Sequence, residues 1–389
     1  MVSDQTAGAA LTCRGCGSGS TRLVVDLGAQ PASDDFPAAD SPGPDAVWPL
    51  QLWICAECAL VQLGPIQALL EEPVRAVESQ TSRQHARYMA GVVLADHPEL
   101  AGATVREFAS HHGGSWLEAL ADSGCTLVDD DTPARLVVDA HGMAHEQDMQ
   151  ATFEARTAAM TPDALLVLEF HHLLPLVEEG QFDTVRHGHW VYLSLTAIAR
   201  MGARHGLEVV RATREAVFGG SLRVVLGRTG AGHAVHPSVS EILAAERAAG
   251  LDDGTGLEHL EKRAHESARA IKDWLVQQQA AGRRVLGYGA PSKAAILLGV
   301  SEVGTDLIEF TVDAAPLKHG LIIPGARIPI RPVGELSAAR PDAVLLFTWD
   351  IADEVVTQLE TAGGWGAEYV LPLPAPHTFQ RAAHAEDPS

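Results

Sequence analysis

The sequence predicts an α/β protein with an N-terminal zinc-binding module, a central Rossmann-like domain and a C-terminal Rossmann-like α/β domain. Four cysteines form two Cys-x-x-Cys pairs near the N-terminus, and short apolar strands alternate with helices between residues 103 and 228. The same alternation resumes after Gly282. Such alternation is typical of doubly wound parallel sheets. We predict domain bounds of 1–70, 71–235 and 236–389.

Length and charge limit the classes of function. The 389 residues suffice for two or three domains, and 28 Lys and Arg against 50 Asp and Glu leave a net charge of −22. This charge repels phosphate backbones and anionic lipid surfaces. No apolar stretch reaches the ~18–20 residues of a membrane span, and the N-terminus lacks the pattern of a signal peptide. We therefore expect a cytoplasmic enzyme with a small-molecule substrate, and neither a nucleic acid nor a membrane as partner.

Four of the five cysteines predict a structural zinc site. Cys13 pairs with Cys16, and Cys55 pairs with Cys58. Two such turns aim four thiolates at one metal about 2.3 Å away and leave no open position for chemistry. The alternative is a pair of redox or disulfide sites, which a cytoplasm disfavours. We predict one structural Zn²⁺ in a β-rich module that ends near residue 65.

The other elements follow in chain order. Residues 66–100 have helical apolar spacing broken by Pro73, which predicts a connector and one helix. Residues 238–281 predict two helices that link the central and C-terminal domains. Strands are predicted before and after them, at ATVREFAS, CTLVDDD, RLVVDA, ALLVLEF, LEVVRATRE and LRVVLGR, and then at RRVLGYGA, IEFTVDA, AVLLFTWD and YVLPLP.

A series of segments spread over nearly the whole chain carries a family resemblance. They are CRGC, DLGAQPASDDF, PLQLWICAECALVQL, QFDTVRHGHWVYLSLTAI, FGGSLRV, GYGAPSKAAILL, VDAAPLKHGLIIPGARIPI and FTWD. They resemble the nucleotide-sugar C-methyltransferases of antibiotic deoxysugar pathways. The resemblance implies a zinc domain, a central S-adenosylmethionine (SAM) domain of the methyltransferase type, and a C-terminal domain that helps to hold a dTDP-keto-sugar. It also implies a base that removes the proton next to a ketone, so that the resulting carbanion attacks the methyl group of SAM.

The resemblance places a SAM loop after the first strand of the central domain. Glu107 is the acidic residue expected at the end of that strand, and Gly113 lies in the loop. Asp129 or Asp130 is placed at a strand end, where a carboxylate can hold a ribose hydroxyl. We assign these four residues to cofactor binding.

The same region departs from the family pattern. Ala109 stands where the loop has its first glycine, and His111 and His112 replace small or Asn/Asp residues. The chain after Asp131 passes almost at once into the next strand, so a helix–strand–helix stretch that helps to wall the adenine pocket is missing. These differences reduce the room for SAM and predict weak binding or none.

Candidate catalytic residues lie in Arg186-His187-Gly188-His189, where the family has Tyr-x-Glu-His. His189 matches the family pattern, and we predict that it is the principal base, assisted by His187 or by His145, which also matches a family position. Imidazole suits this role because its ordinary pKa lies near neutrality. Arg186 is expected to stabilise an enolate oxygen or bind a carboxylate. The alternative is that His189 only packs against the strand that follows it.

Histidine is concentrated in the central domain. Eight of the 18 histidines are His111, His112, His141, His145, His171, His172, His187 and His189. All are expected at strand ends or in the loops that follow, so we predict that they share one pocket. We assign His141, His171 and His172 to substrate binding. Acid/base chemistry, a second metal site and ordinary loop histidines are the alternatives.

The C-terminal domain contains a second glycine-rich turn. Gly287 and Gly289 follow a predicted strand and precede a helix, whose first amides suit an anion. Lys293 and Lys318 add positive charge. We assign these four residues to the substrate, with packing of the turn as the alternative.

Three functions remain open at this stage. The first is a SAM-dependent C-methyltransferase that acts on a nucleotide-linked keto-sugar. The second is a former methyltransferase that uses a histidine-lined pocket for isomerisation, elimination or cyclisation in natural-product biosynthesis. The third is a non-catalytic scaffold.

Overall fold

The computed structural model describes residues 11–66, 77–110 and 113–380. Its strands are β1 (Thr21–Pro31), β2 (Val47–Cys55), β3 (Val61–Leu63), β4 (Thr104–Phe108), β5 (Thr126–Leu127), β6 (Ala134–Ala140), β7 (Met160–His171), β8 (Val191–Tyr192), β9 (Leu207–Glu215), β10 (Ser221–Arg228), β11 (Val285–Tyr288), β12 (Thr311–Asp313), β13 (Ile330–Pro332), β14 (Ala343–Leu346), β15 (Glu368–Leu371) and β16 (His377–Thr378). Its α-helices are α1 (Gln80–Asp96), α2 (Leu117–Asp122), α3 (Met149–Ala158), α4 (Leu173–Glu179), α5 (Leu195–Arg204), α6 (Ser238–Ala248), α7 (Leu260–Ala280), α8 (Ser292–Ser301), α9 (Gly334–Ala339) and α10 (Ala352–Thr361).

The first sheet has the strand order β1-β2-β3-β8, and its pairs are antiparallel. The first three strands belong to the N-terminal module. β8 comes from the central part of the chain, where Tyr192 pairs with Val61 and Val191 with Gln62. The zinc module is therefore completed by two residues that lie directly after Trp190.

The second sheet has the order β5-β4-β6-β7-β10-β9. Strands β4 to β7 pair in parallel, whereas β10 is antiparallel to both of its neighbours. β5 has only two residues and forms the edge, and residues 128–133 join it to β6. The predicted loss of the helix–strand–helix stretch is therefore confirmed.

The third sheet has the order β13-β12-β11-β14-β15-β16 and is parallel except at its last pair. With the second sheet it confirms the predicted α/β class. α6 and α7 lie between these sheets in sequence, as predicted. In α7, Arg263 donates to the carbonyl of Val177 at 2.6 Å, and Glu261 accepts from the amide of Asp26 at 3.1 Å.

One apolar core runs through the three parts of the protein. It contains Leu52 of the first sheet, Val137 of the second and Val285 of the third. Burial of apolar side chains is the main favourable term in folding, so the three parts stabilise one another. Each predicted domain contains one sheet apart from the shared β8, and the predicted bounds themselves stay predictions. Within the described ranges, no helix combines the length and the apolar character that crossing a membrane would require.

Candidate functional site

The four cysteines predicted to bind zinc come together. Their sulfur atoms all lie within 4.8 Å of one another, and the Sγ atoms of Cys13 and Cys58, like those of Cys16 and Cys55, are 3.5 Å apart. A tetrahedron with bonds of about 2.3 Å has edges of about 3.8 Å, so the arrangement fits Zn²⁺. None of the four is in a disulfide. The zinc prediction is confirmed, and the disulfide alternative is wrong.

The two zinc turns are built alike. The amide of Cys13 donates to the carbonyl of Ser18, and the amide of Cys55 donates to that of Leu60, five residues on in each case. The residue after each second cysteine is left-handed: Gly17 has φ of +74° and Ala59 of +59°. This conformation costs glycine little and alanine more. Ala59 nevertheless adopts the left-handed conformation, and the second turn therefore has the same shape as the first.

His189 lies directly beside the shared strand β8, next to a second predicted histidine. The rings of His145 and His189 are 5.0 Å apart at their centres, and the ring of Tyr192 is 6.2 Å from that of His189. The Nδ1 of His189 is 3.3 Å from the carbonyl oxygen of Thr184. A carbonyl only accepts, so Nδ1 carries the proton in this contact and the lone pair of the neutral ring lies on Nε2. This tautomer is suited to act as a base.

Arg186 is held by the zinc module. Its Nη1 lies 2.6 Å from Oδ2 of Asp34, and Oδ1 of Asp34 accepts from the hydroxyl of Ser292 at the start of α8. The hydroxyl of Tyr192 accepts from the amide of Arg186 at 3.0 Å. The guanidinium of Arg186 thus joins Asp34 in a mostly buried ion pair, and its catalytic role stays a prediction.

A buried carboxylate joins two further histidines at the carboxyl ends of β6 and β7. Oε1 of Glu169 is 2.5 Å from Nε2 of His85, which lies on α1, and 3.5 Å from Nε2 of His141. Glu169 is 2% exposed. Burial raises its pKa, but hydrogen bonds from His141 and His85 outweigh burial and lower that pKa to about 2. Glu169 is therefore ionised at neutral pH. We call these three residues the His–Glu–His cluster.

The His–Glu–His cluster is covered by an aromatic ring in a strained loop. The ring of Phe218 meets the rings of His85 and His141 edge to face at 5.7 and 5.4 Å. His141 and Phe218 have φ of +60° and +54°. Left-handed backbone is costly for both residue types, and such strain concentrates at functional sites.

A third group of polar side chains links the central domain to the C-terminal domain. Nε1 of Trp349 donates to Oδ2 of Asp183 at 2.7 Å, and Nζ of Lys293 lies 2.5 Å from Oδ1 of Asp350 and 4.2 Å from the centre of the Trp349 ring. Burial raises the pKa of Asp183 to about 6, although Lys293 and Trp349 oppose the shift. Burial, with the positive charges of Lys293 and a protonated His141, lowers the pKa of His171 to about 4. His171 is therefore neutral near pH 7.

The glycine turn predicted to receive SAM holds a carboxylate of the chain itself. Gly113 and Gly114 have φ of +82° and +79°, and the amide of Gly114 donates to Oε1 of Glu78 at 2.6 Å. A Cβ on Gly113 would lie 2.8 Å from the same oxygen. The Glu78 side chain thus rests on the turn. This arrangement does not fit SAM, because the amide of Gly114 already donates to Glu78 and the side chain of Glu78 fills the space beside Gly113. His111 and His112 lie outside the described residues.

Of the other predicted cofactor residues, Glu107 is bonded within the chain and the two aspartates are exposed. The carboxylate of Glu107 accepts from the hydroxyl of Ser115 at 2.5 Å and from the amide of Trp116 at 2.7 Å, at the start of α2. Asp129 and Asp130 are exposed beyond the short edge strand β5. Glu107 therefore stabilises the helix start, and the assignment of the two aspartates to a ribose stays a prediction.

Two predicted histidines are buried and bonded to other parts of the chain. His172 is fully buried, with Nε2 2.7 Å from Oε1 of Glu246. His187 is 1% exposed, and its two ring nitrogens face the carbonyls of Pro31 and Pro49 at 3.2 Å each. Both rings join neighbouring segments by hydrogen bonds. The predictions that His172 binds substrate, that His187 assists the base and that all the histidines share one pocket stay predictions.

The C-terminal glycine turn is shaped by packing. A Cβ on Gly287 would lie 2.6 Å from the Phe347 ring, and one on Gly289 would lie 2.6 Å from the side chain of Thr348. Nζ of Lys318 donates to the carbonyl of Ala290 at 2.8 Å and is buried. Ser292, at the start of the following helix, already donates to Asp34. The structure thus supports the packing alternative for Gly287, Gly289 and Lys318, and it pairs Lys293 with Asp350.

Sequence reasoning missed several residues of this region: His85, Glu169, Asp183, Trp349 and Glu78. Two of them carried a signal in the sequence. Glu169 interrupts the apolar run ALLVLEF, and a charge in a buried strand needs a partner. Asp183 follows Phe182 within a segment that carries the family resemblance. Nothing in the spacing of His85 on its helix pointed to Glu169, which is 84 residues away.

Comparison with known proteins agrees with this architecture. A family model described as "C-methyltransferase C-terminal domain" matches residues 216–374, and one described as "Putative zinc binding domain" matches residues 13–67. The C-methyltransferase NovU of Streptomyces niveus is 29% identical over 405 aligned positions, which cover 94% of this chain and 96% of NovU.

Solved methyltransferase structures also align with part of the chain. One is the magnesium protoporphyrin IX methyltransferase ChlM from Synechocystis PCC 6803 with bound SAH (14% identity, 43% of this chain, 90% of ChlM, TM-score 0.29). Another is the 1,6-didemethyltoxoflavin-N1-methyltransferase of Burkholderia thailandensis (12% identity, 44% of this chain, 96% of that chain, TM-score 0.30). Together, the two family models and the relative NovU show that the chain is similar to C-methyltransferases, with matches to a zinc-binding domain and to a C-methyltransferase C-terminal domain.

Proposed function

We propose that the protein is an enzyme of natural-product biosynthesis that removes a proton next to a carbonyl group of a small molecule. The pairing of His189 with His145, with the lone pair of His189 on Nε2, is the observation that carries the proposal. A base of this kind contributes typically 10²–10⁴-fold to a rate. We propose a nucleotide-linked keto-sugar as the substrate class, because the segments that resemble the deoxysugar enzymes extend over nearly the whole chain.

The roles of the neighbouring residues follow from their contacts. His189 takes the proton on Nε2, while the carbonyl of Thr184 holds its Nδ1–H. Tyr192 is buried and bonded to the backbone of Arg186, so it positions the segment instead of donating to substrate. Burial also raises the pKa of Tyr192 well above its usual range. Zinc, when bound to its four thiolates, has no open position and serves the fold.

The relative NovU is a C-methyltransferase, and this activity favours methyl transfer as the next step of the carbanion. Methyl transfer to carbon requires a carbon nucleophile, and removal of a proton next to a carbonyl supplies one. SAM is the donor that the family resemblance implies. The contact of Glu78 with Gly114 does not fit SAM, however, because the side chain of Glu78 already rests on the glycine turn.

The contact of Glu78 with Gly114 favours a second candidate function. In it the same base serves an isomerisation, elimination or cyclisation that needs no methyl donor. Both candidates share the deprotonation step and differ only in what happens to the carbanion. A scaffold without chemistry would need neither the tautomer of His189 nor its neighbour His145.

One experiment tests the shared step. The protein is incubated with a dTDP-keto-deoxysugar in D₂O, and proton NMR follows the loss of the signal next to the ketone. We expect exchange that depends on the wild-type protein and is lost in His189→Asn. Exchange at the rate of the sugar alone would overturn the proposal. Calorimetry with SAM and with its demethylated product then separates the two candidates, since micromolar binding selects methyl transfer.

A further inference from the structure

The His–Glu–His cluster is not used by the base described above. Its place in the fold is that of a functional site: Glu169 lies two residues before the end of β7, His141 directly follows β6, and both strands belong to the parallel part of the second sheet. Ligands of doubly wound sheets bind outside the carboxyl ends of such strands. The amide of His141 donates to the carbonyl of Glu169 at 2.6 Å, which fixes the two residues relative to each other.

The charge of Glu169 requires a cation beside it. A carboxylate that is 2% exposed is costly unless it is paired, and its described ion-pair partners are His85 and His141. His85 makes the shorter contact and anchors Oε1. His141 stands 3.5 Å from the same oxygen, and its side chain is 25% exposed against 12% for His85. His141 is therefore the more exposed imidazole of the cluster.

The geometry excludes a simple metal site at these residues. Within residues 11–66, 77–110 and 113–380, only the four cysteines bring three or more ligand atoms of His, Cys, Asp or Glu within 4.8 Å of one another. The cluster instead resembles the carboxylate–imidazole pairs that hold a ring in a fixed orientation for acid/base catalysis. The strained φ of His141 and the covering ring of Phe218 add to this, because both hold the imidazole in one place.

The loop that carries His141 also carries the partner of the base. Residues 141–145 run from the end of β6 to His145, whose ring lies 5.0 Å from that of His189. We propose that His141 is the general acid of the reaction, and that Glu169 and His85 are positioning residues that hold its ring in place. The inference rests on the proposed function. His189 takes the proton from carbon while His141 gives its own proton to the carbonyl oxygen, so the substrate becomes an enol and the total charge is unchanged.

The substitution His141→Asn tests the acid directly. Asparagine tolerates left-handed backbone better than most residues, so the loop keeps its shape while the titrating ring is lost. In the exchange assay with a dTDP-keto-deoxysugar in D₂O we expect kcat to fall about 10²–10⁴-fold, with little change in KM or in melting temperature. The matched control is His236→Asn, which removes an exposed histidine bonded to Ser238 and should leave exchange unchanged.

The substitution Glu169→Gln tests the positioning role and does not depend on the folding of the first variant. It keeps an oxygen for His85 but removes the negative charge. We expect a fall in kcat and a changed pH profile of exchange, which a merely structural residue would not alter. Exchange within twofold of wild type in folded His141→Asn or folded Glu169→Gln would overturn the inference. If exchange is then still lost in His189→Asn, the proposed function stands although the role of His141 does not. If the wild-type protein shows no exchange, both the proposed function and the role of His141 are overturned.

Discussion

Arg186 and Asp34 form an ion pair between the central domain and the zinc module, with Nη1 2.6 Å from Oδ2. The two side chains are only 6% and 17% exposed. The other oxygen of Asp34 accepts from Ser292 of the C-terminal domain. One carboxylate thus connects all three parts of the protein, at the helix start whose first amides are predicted to suit an anion.

Removal of this carboxylate should destabilise the protein strongly. Asp34→Ala removes the carboxylate that pairs with the buried guanidinium of Arg186, and breaking such a buried ion pair typically costs about 3–5 kcal/mol. Chemical denaturation measures the change in the free energy of unfolding. The control is Glu118→Ala, which breaks the exposed pair with Arg87 and should cost less than about 1 kcal/mol. Equal stability of the two variants would contradict the role given to Asp34.

The zinc site should bind about one zinc ion per chain. Elemental analysis of purified protein measures this content. Cys55→Ser removes one of the four thiolates and should lower both the zinc content and the melting temperature. Cys125→Ser is the control because Cys125 is buried elsewhere, in the core beside α1. A stable protein without zinc would refute the prediction.

Glu78 should control access to the glycine turn at Gly113 and Gly114. We expect wild-type protein to bind SAM and its demethylated product weakly or not at all, because Oε1 of Glu78 already accepts from the amide of Gly114. Glu78→Ala removes the carboxylate from the turn. Isothermal calorimetry should then show that the variant binds SAM about tenfold more tightly than the wild type, a difference of about 1.4 kcal/mol. Low-micromolar binding by the wild type would show that the turn accepts SAM with Glu78 in place.

Loss of the base should abolish turnover without loss of the fold. His189→Asn removes the lone pair on Nε2, and the rate of exchange next to the carbonyl should fall about 10²–10⁴-fold. The melting temperature should change little, since the ring of His189 is half-buried. Melting and exchange are measured on the same preparation. Normal exchange by a folded variant would leave His189 with only the packing role considered from the sequence.

Asp183 should make stability fall as the pH rises from about 4 to 6. Burial raises its pKa from 3.8 to about 6, so in this window the folded state binds more protons than the unfolded state. Unfolding then becomes easier with rising pH, by an amount on the order of 2–3 kcal/mol at pH 7. Denaturation of wild type and Asp183→Asn between pH 4 and 7.5 measures the difference. The stability of Asp183→Asn should lack the fall with rising pH that Asp183 causes in the wild type. If the free energy of unfolding depends on pH in the same way in both proteins, the raised pKa of Asp183 is contradicted.

The parts of the fold that follow from local pattern could be predicted from the sequence. The spacing of Cys13, Cys16, Cys55 and Cys58 limits where the thiolates can go, and alternating apolar strands limit the sheet type. The predicted helices at 238–281 are present for the same reason. The short connection after Asp131 could also be predicted, because the sequence there is too short for the helix–strand–helix stretch of the family pattern.

The contacts within the candidate site could not be predicted in this way. Glu169 meets His85 across 84 residues, and Glu78 meets Gly114 across 36. Such pairs depend on how α1 packs on the second sheet, which no local pattern encodes. The same limit explains His172, since its partner Glu246 lies on a helix that was predicted only as a linker. Residue type pointed to chemistry, but tertiary packing decides which histidine performs it.

The sharing of β8 has a consequence for the order in which the chain folds during synthesis. All four zinc ligands are present once Cys58 has emerged, yet the strand that covers β3 is made only at Val191 and Tyr192, some 130 residues later. Until then β3 presents an unpaired edge, which is a risk for aggregation. Early capture of zinc would hold this unfinished sheet together while the rest of the chain is translated. Zinc starvation should therefore reduce the yield of newly made protein more than it harms protein already folded.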